Sequence, residues 1–219
     1  DSQMERRGSA RDLPRIHRAD CRFGMDVIFE EGPAALGVIR GAFAEEKLRG
    51  WVEAIDWQVN QIRIFGRLHD EPRETAWFGP AYRYSSIQWP ARPLSPPLVA
   101  MRDQVMAHVP DNGAPWHFNS VLLNHYRAGR DHMGWHRDNE PEIDGTWIAS
   151  VSLGETRDFK VRRRADRTPI ATVALGHGDL LLMRHLQEDY EHALPKRLRV
   201  EGPRLNFTFR RCVAGLGRG

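Results

Sequence analysis

The spacing of hydrophobic positions along this 219-residue chain changes about half-way. In AFAEEKLRGWVEAI (42–55), Leu48, Trp51, Val52 and Ile55 recur at helical spacing and predict a first helix. A second is predicted over about 96–109. There Ser95 is a suitable N-cap, Pro96 and Pro97 fit the first turn, and Leu98, Met101 and Val105 form the stripe to be buried. NQIRIFGRL (60–68) and YRYSSIQW (82–89) read as strands, joined by a polar segment with Pro72 and Gly79. From residue 117 onward no long helical pattern appears. Short apolar or alternating runs cover 118–126, 133–138, 147–153, 157–164, 170–175, 178–184, 190–194 and 203–213, with breakers such as RAGRD, PEIDG and GHGD between several of them. Many short strands at this spacing predict an antiparallel sandwich or barrel.

The last of these runs contains RLNFTFR (204–210). Read with period two, Arg204, Asn206, Thr208 and Arg210 share one face and Leu205, Phe207 and Phe209 the other. Two arginines framing an amide and a hydroxyl fit either a solvated face or a polar cavity that holds an anion. Six residues at about 3.3 Å each set the two arginine Cα atoms about 20 Å apart. If each side chain reaches inward by roughly 6–7 Å, the guanidinium groups end about 7 Å apart. That gap suits a short dicarboxylic acid gripped at both ends.

Composition narrows the class without naming it. Apolar residues make up 41% and charged residues 28%, as in an ordinary globular protein. Arginine supplies nearly all the positive charge, since the only lysines are Lys47, Lys160 and Lys196. A net charge of +3 permits a phosphate-bearing partner without demanding one. Cys21 and Cys212, at opposite ends, make a disulfide framework improbable and a reducing compartment the default. Residues 1–22 are charged, lack periodicity and carry no apolar core resembling a signal peptide. No run approaches a membrane span. The expectation is an intracellular monomer with no membrane partner, cytoplasmic if bacterial and nuclear if eukaryotic.

The densest chemical segment is NHYRAGRDHMGWHRDNEPEIDG. His136 and Asp138 are two apart, so an extended backbone points both to one face, where they can take adjacent positions on a metal ion. A third ligand from a distant strand would complete a two-histidine, one-carboxylate set that leaves sites open for cosubstrate and dioxygen on Fe(II). H-x-D alone also occurs by chance among ten histidines. His185, ending GDLLLMRH, and His192, in YEHALPK, compete for the third position, and the strand of His192 leads directly towards Arg204. His17, His69 and His108 read as surface residues and His177 as a turn residue.

Taken together, FNSVLLNHYRAGRDHMGWHRDNE, IASVSLGETRDFKVRRR, HGDLLLM, HALP and PRLNFTFR closely resemble the AlkB family of Fe(II)- and 2-oxoglutarate-dependent dioxygenases. The match runs from about residue 60 to 212 and is closest to the double-strand-acting DNA-repair branch. The resemblance implies an α+β, mainly β fold: a double-stranded β-helix, or jelly-roll, core with N-terminal helices and a nucleotide-recognition lid. It implies a flexible arm at 1–22, helix and lid at 23–95, the catalytic core at 96–213 as one integrated domain with them, and a tail at 214–219. It makes His136, Asp138 and His192 the iron ligands, and not His185. It gives Asn124, Tyr126, Arg204, Asn206 and Arg210 to 2-oxoglutarate, with Arg204 and Tyr126 at the distal carboxylate and Arg210, Asn124 and Asn206 near the chelating end.

The implied reaction is oxidative demethylation of 1-methyladenine, 3-methylcytosine and etheno adducts in DNA, with Fe(II) as cofactor and 2-oxoglutarate and O₂ as cosubstrates. Formaldehyde, succinate and CO₂ leave. The metal centre is the catalyst, with no separate acid or base. Two other readings remain: demethylation of RNA, and a jelly-roll nucleic-acid-binding module with a vestigial metal site. A base in a duplex must leave the stack to react. Phe65 aligns with the family's intercalating finger, although a core phenylalanine at a strand end would look the same. Tyr82 and Tyr84 match pocket aromatics, with a base stacked between Tyr84 and His136, and hairpin packing is the other reading of Tyr82. Glu140 matches an acidic position tied to base choice, or is a solvated loop residue. Asn139 stands where close homologues carry aspartate. VRRRADR (161–167) and PKRLR (195–199) are basic runs that could meet phosphates or simply face water.

Overall fold

The computed structural model describes residues 24–64, 66–84, 87–110 and 116–213, with residues 62–64 and 83–84 by backbone alone. Fifteen strands and two helices follow one another in the described chain. β1 (Met25–Glu31) and β2 (Ala34–Ile39) precede α1 (Leu48–Ala54). Then come β3 (Gln61–Ile64), β4 (Arg67–Asp70), β5 (Glu74–Phe78), β6 (Tyr82–Tyr84), β7 (Ile87–Trp89) and α2 (Pro96–Met106). The remaining strands are β8 (Ser120–Tyr126), β9 (Met133–His136), β10 (Ile143–Gly154), β11 (Arg157–Arg163), β12 (Pro169–Leu175), β13 (Leu180–Arg184), β14 (Tyr190–Leu194) and β15 (Arg204–Cys212).

Two antiparallel sheets carry the architecture, a jelly-roll. The larger has the order β1-β2-β13-β10-β15-β8-β5 and the smaller β12-β11-β14-β9. The pairs β3-β4 and β6-β7 form separate two-stranded ribbons. The eight strands expected after residue 117 are all present, and the stripe Leu98, Met101 and Val105 of α2 is at most 2% exposed.

Several boundaries differ from the sequence expectation. The first helix is shorter than 42–55 because Gly41, at φ +63, starts a turn in which the Ala44 amide donates to the Gly41 carbonyl. The runs 60–68 and 82–89 are hairpins, each folded back on itself. Ser95 makes no side-chain cap bond, although its carbonyl accepts the Val99 amide. β1, β2 and β5 join the larger sheet from a segment in which only a helix and a lid were expected. His69 is exposed, but His108 is half-buried rather than at the surface.

Both faces of β15 are buried, which answers the question its alternation poses. Leu205, Phe207 and Phe209 are fully buried in a core cluster with Leu98, Met101 and Val105 of α2, and Trp51 of α1 packs edge-on against Phe207. Burial of such side chains stabilises the fold by about 1.5–3 kcal/mol each. Arg204, Asn206, Thr208 and Arg210 turn the other way and line a cavity. A second cluster, including Ile148, Leu181, Met183, Phe159, Val161 and Tyr190, draws on β10, β13, β11 and β14 and so ties the two sheets together.

Candidate active site

The cavity holds about 760 Å³ of empty space, counting its open mouth, and is lined from both sheets. His136 of β9 and His192 of β14 are direct register partners, so their rings meet edge to face at 4.2 Å. Asp138, two residues beyond His136, places Oδ2 3.7 Å from His192 Nε2. One ligand atom from each of the three lies within 4.8 Å of the others. Among the described residues this is the one group of its kind, and it includes His192 rather than His185.

The protonation states suit a cation. His136 Nδ1 lies 2.8 Å from the Gly134 carbonyl oxygen, which can only accept, so Nδ1 carries the proton and Nε2 keeps its lone pair. Burial, reinforced by His136, pushes His192 down to about 3 and keeps it neutral. Burial likewise lowers His136. It pushes the Asp138 carboxyl up, but the buried Arg210 guanidinium outweighs it and holds the carboxyl below the ordinary carboxylate range. Arg210 donates from Nη2 to Asp138 Oδ1 at 2.7 Å, and the Asp138 amide donates to Gln187 Oε1 at 2.9 Å. Two neutral imidazoles and an oriented carboxylate are the forms in which these groups bind a divalent metal.

The far end of the cavity is built for an anion. Arg204, 2% exposed, is the register partner of Tyr126 and lies over its ring at 5.4 Å. Its Nη2 donates to Ser152 Oγ at 2.8 Å, while its buried Nε has no partner. No carboxylate among the described residues pairs with it. Burial lowers it to about 10, so it is still a cation at neutral pH. Between this end and the histidines, Asn124 donates to Asn206 Oδ1 at 3.2 Å, and Asn206 donates to Ser150 Oγ.

Tyr82 is 4% exposed, stacks on Trp77 at 4.5 Å and also lines the cavity. Glu140 is half-buried, and burial first, then Asp138, pushes its carboxyl up. Phe65 lies outside the described residues, and of Tyr84 only the backbone is described, in β6 opposite Ile87. The basic run 161–167 is partly committed already: Arg162 pairs with Glu191 beneath Trp135, and Arg163 pairs with Glu31.

Two charged cavity residues escaped sequence reasoning. Glu71 and Arg73, 4% and 3% exposed, flank Pro72 and form a buried ion pair at 3.1 Å. In EPRE they look like a solvated turn. Only the register of β5 against β8 turns Arg73 inward, where its Nε donates to Asn124 Oδ1 at 2.8 Å.

The 2OG-Fe(II) oxygenase superfamily model matches residues 36–210. The DNA oxidative demethylase ALKBH2 of Homo sapiens is 36% identical over 180 residues, 77% of this chain and 67% of that protein. This chain belongs to the AlkB family of 2OG-Fe(II) oxygenases. ALKBH2 of Arabidopsis thaliana is 33% identical over 186 residues, 71% of this chain and 58% of its own length. The alpha-ketoglutarate-dependent dioxygenase alkB homolog 3 of Bos taurus is 36% identical over 154 residues, 65% of this chain and 52% of that one. The chain thus spans from about half to two thirds of these relatives. The solved structure of OsALKBH1 shares the fold with a TM-score of 0.55 at 16% identity, over 85% of this chain and all of that one.

Membership makes the chain an enzyme that uses Fe(II), 2-oxoglutarate and O₂. Its cavity fits them. Three metal donors converge in their binding forms at one end, and a buried guanidinium without a carboxylate waits at the other. No helix among the described residues is long and apolar enough to cross a membrane.

Proposed function

We propose that this AlkB-family oxygenase oxidatively demethylates N-alkylated bases in DNA, with 1-methyladenine, 3-methylcytosine and etheno adducts as substrates. His136, Asp138 and His192 hold Fe(II). Arg204 and Tyr126 bind the distal carboxylate of 2-oxoglutarate, and Asn124, Asn206 and Arg210 support its chelating end. When bound, iron and 2-oxoglutarate supply, with O₂, the oxidation that turns an N-methyl group into formaldehyde, leaving succinate and CO₂.

The chain's own residues do the positioning. Arg210 fixes Asp138 through its 2.7 Å bond, and Gly134 fixes the tautomer of His136. Tyr82, stacked on Trp77, walls the mouth against water, with Glu140 beside it to read the base. Phe65 and Tyr84 complete the base contacts, Phe65 filling the gap left by a flipped nucleotide. The protein acts as a monomer.

One observation supports this reading above the others. Metal donors and a buried arginine that pairs with no carboxylate among the described residues share a single cavity. A vestigial site would have no reason to keep an uncompensated cation, because burying one is costly. The test incubates oligonucleotides carrying 3-methylcytosine with Fe(II), 2-oxoglutarate and O₂, as single-stranded DNA, duplex DNA and RNA. Repair of DNA supports the proposal, whereas repair of RNA alone would transfer it to the RNA reading. No product from any of them defeats it.

A further inference from the structure

A continuous chain of side-chain bonds runs from the root of the β3–β4 hairpin to the strand that carries both arginines. Asn60 and Glu71 bracket that hairpin, and the Glu71 amide donates to the Asn60 carbonyl at 2.7 Å. Asn60 Nδ2 lies 3.3 Å from Glu71 Oε2 and 2.6 Å from Thr75 Oγ1. The other Glu71 oxygen accepts Arg73 Nη2, Arg73 Nε donates to Asn124 Oδ1, and Asn124 Nδ2 donates to Asn206 Oδ1. Thr208 donates to that same oxygen at 2.8 Å.

The direction of this chain has a physical consequence. An amide can point either way, and its neighbours decide which. Arg73 can only donate, so it forces Asn124 to present Oδ1 to it and Nδ2 to Asn206. Asn206 Oδ1 is then committed as an acceptor, and its Nδ2 is left for Ser150. Glu71 in turn holds Arg73, since a guanidinium 3% exposed needs its carboxylate in place. The same bonds link the hairpin root, through Glu71 and Arg73, to the two amides that line the cavity.

We propose that Glu71 and Arg73 are positioning residues that couple the β3–β4 hairpin to the cosubstrate pocket, so that nucleic-acid engagement and 2-oxoglutarate binding strengthen each other. The inference rests on the proposed function in taking the hairpin as a nucleic-acid contact. Coupling between two binding sites is reciprocal, and a factor of about 5–150 is usual.

The experiment measures 2-oxoglutarate affinity calorimetrically on the full chain with Fe(II) under anaerobic conditions, with and without a saturating oligonucleotide carrying 3-methylcytosine. Anisotropy of the labelled oligonucleotide checks its binding separately. In the wild type the oligonucleotide should tighten 2-oxoglutarate at least about 5-fold. In Glu71→Gln the factor should fall below about 2-fold, while Glu71→Asp restores part of it. Asn60→Ala breaks only the outermost link and buries no unpaired charge. It should lose coupling and keep the wild-type affinity measured without oligonucleotide, so the test survives if Glu71→Gln fails to fold. Hydrogen exchange at amides 61–70 should slow when 2-oxoglutarate binds the wild type but not Asn60→Ala. If the wild type does not bind the oligonucleotide, the proposed function itself fails. If it binds but 2-oxoglutarate affinity is indifferent to it, or Asn60→Ala retains the full factor, the coupling is overturned.

Discussion

Arg210 and Asp138, 72 positions apart in sequence, meet at 2.7 Å with 5% and 4% of their side chains exposed. The pair joins a strand of the larger sheet to the segment following the smaller sheet's edge strand. It also orients a carboxylate whose other oxygen faces His192. Removing one partner of a buried pair leaves the other charge uncompensated, at about 3–5 kcal/mol. Arg210→Met should therefore lower the melting temperature by roughly 6–20 °C for a chain of this size. Saturating Fe(II) should recover part of that loss, because the metal supplies the missing positive partner and binds only the folded state. Melting curves with and without metal check this, and an unchanged apo midpoint would count against the pair's role.

Arg204 behaves in the opposite way because it has no carboxylate to abandon. Arg204→Met keeps much of the side-chain volume and removes an uncompensated buried cation, so the apo protein should be as stable as the wild type or more so. The stabilisation that 2-oxoglutarate gives the wild type should vanish. A thermal-shift series over cosubstrate concentration reads both effects at once.

Much of this site was legible because strands announce their faces. The alternation of RLNFTFR identified Arg204, Asn206, Thr208 and Arg210 as one face, and that face lines the cavity. H-x-D on an extended segment gave two candidate donors, while the residues alone left His185 and His192 open as the third, and the pairing of His136 with His192 across β9 and β14 brings His192 to them. What stayed hidden was hidden for physical reasons. β5 is five residues with four consecutive buried positions, so it shows no alternation, and Pro72 and Gly79 beside it read as turn chemistry. β2 is buried at all six positions for the same reason. Glu71 and Arg73 carry charge where charge normally means solvent, and only their mutual pairing makes burial tolerable.

Asp131 makes acid stability testable at a carboxylate outside the three metal donors. Burial pushes its carboxyl up, but bonds from the Arg127 side chain and backbone amide outweigh this and hold it below the ordinary value. A depressed folded pKa contributes stability above the unfolded value of about 3.9, and that contribution is lost as pH falls through the folded one. Asp131→Asn should therefore lower the midpoint at pH 6 and flatten its fall between pH 4 and 3. A parallel decline of mutant and wild type would refute the assignment.

Gly129 sits where two loops touch backbone to backbone. Its amide donates to the Val200 carbonyl at 2.8 Å, and its own carbonyl accepts the Arg197 amide at 2.8 Å. A Cβ there would lie 1.8 Å from the Arg197 carbonyl oxygen. Overpacking of this kind costs about 1–3 kcal/mol. Gly129→Ala should lower the melting temperature by roughly 2–12 °C and weaken 2-oxoglutarate binding, since Arg157 ties the same loops together through the Asp131 and Pro195 carbonyls beside Tyr126.

The central claim is that one cavity joins metal, cosubstrate and alkylated base in a single turnover. Its most direct test counts products from a 3-methylcytosine oligonucleotide supplied with Fe(II), 2-oxoglutarate and O₂. The expected result is one formaldehyde for each cytosine regenerated in the wild type, with succinate formed alongside, and none of the three from Asp138→Ala or His192→Ala. Cytosine regenerated without formaldehyde, or undiminished repair by Asp138→Ala, would contradict the account.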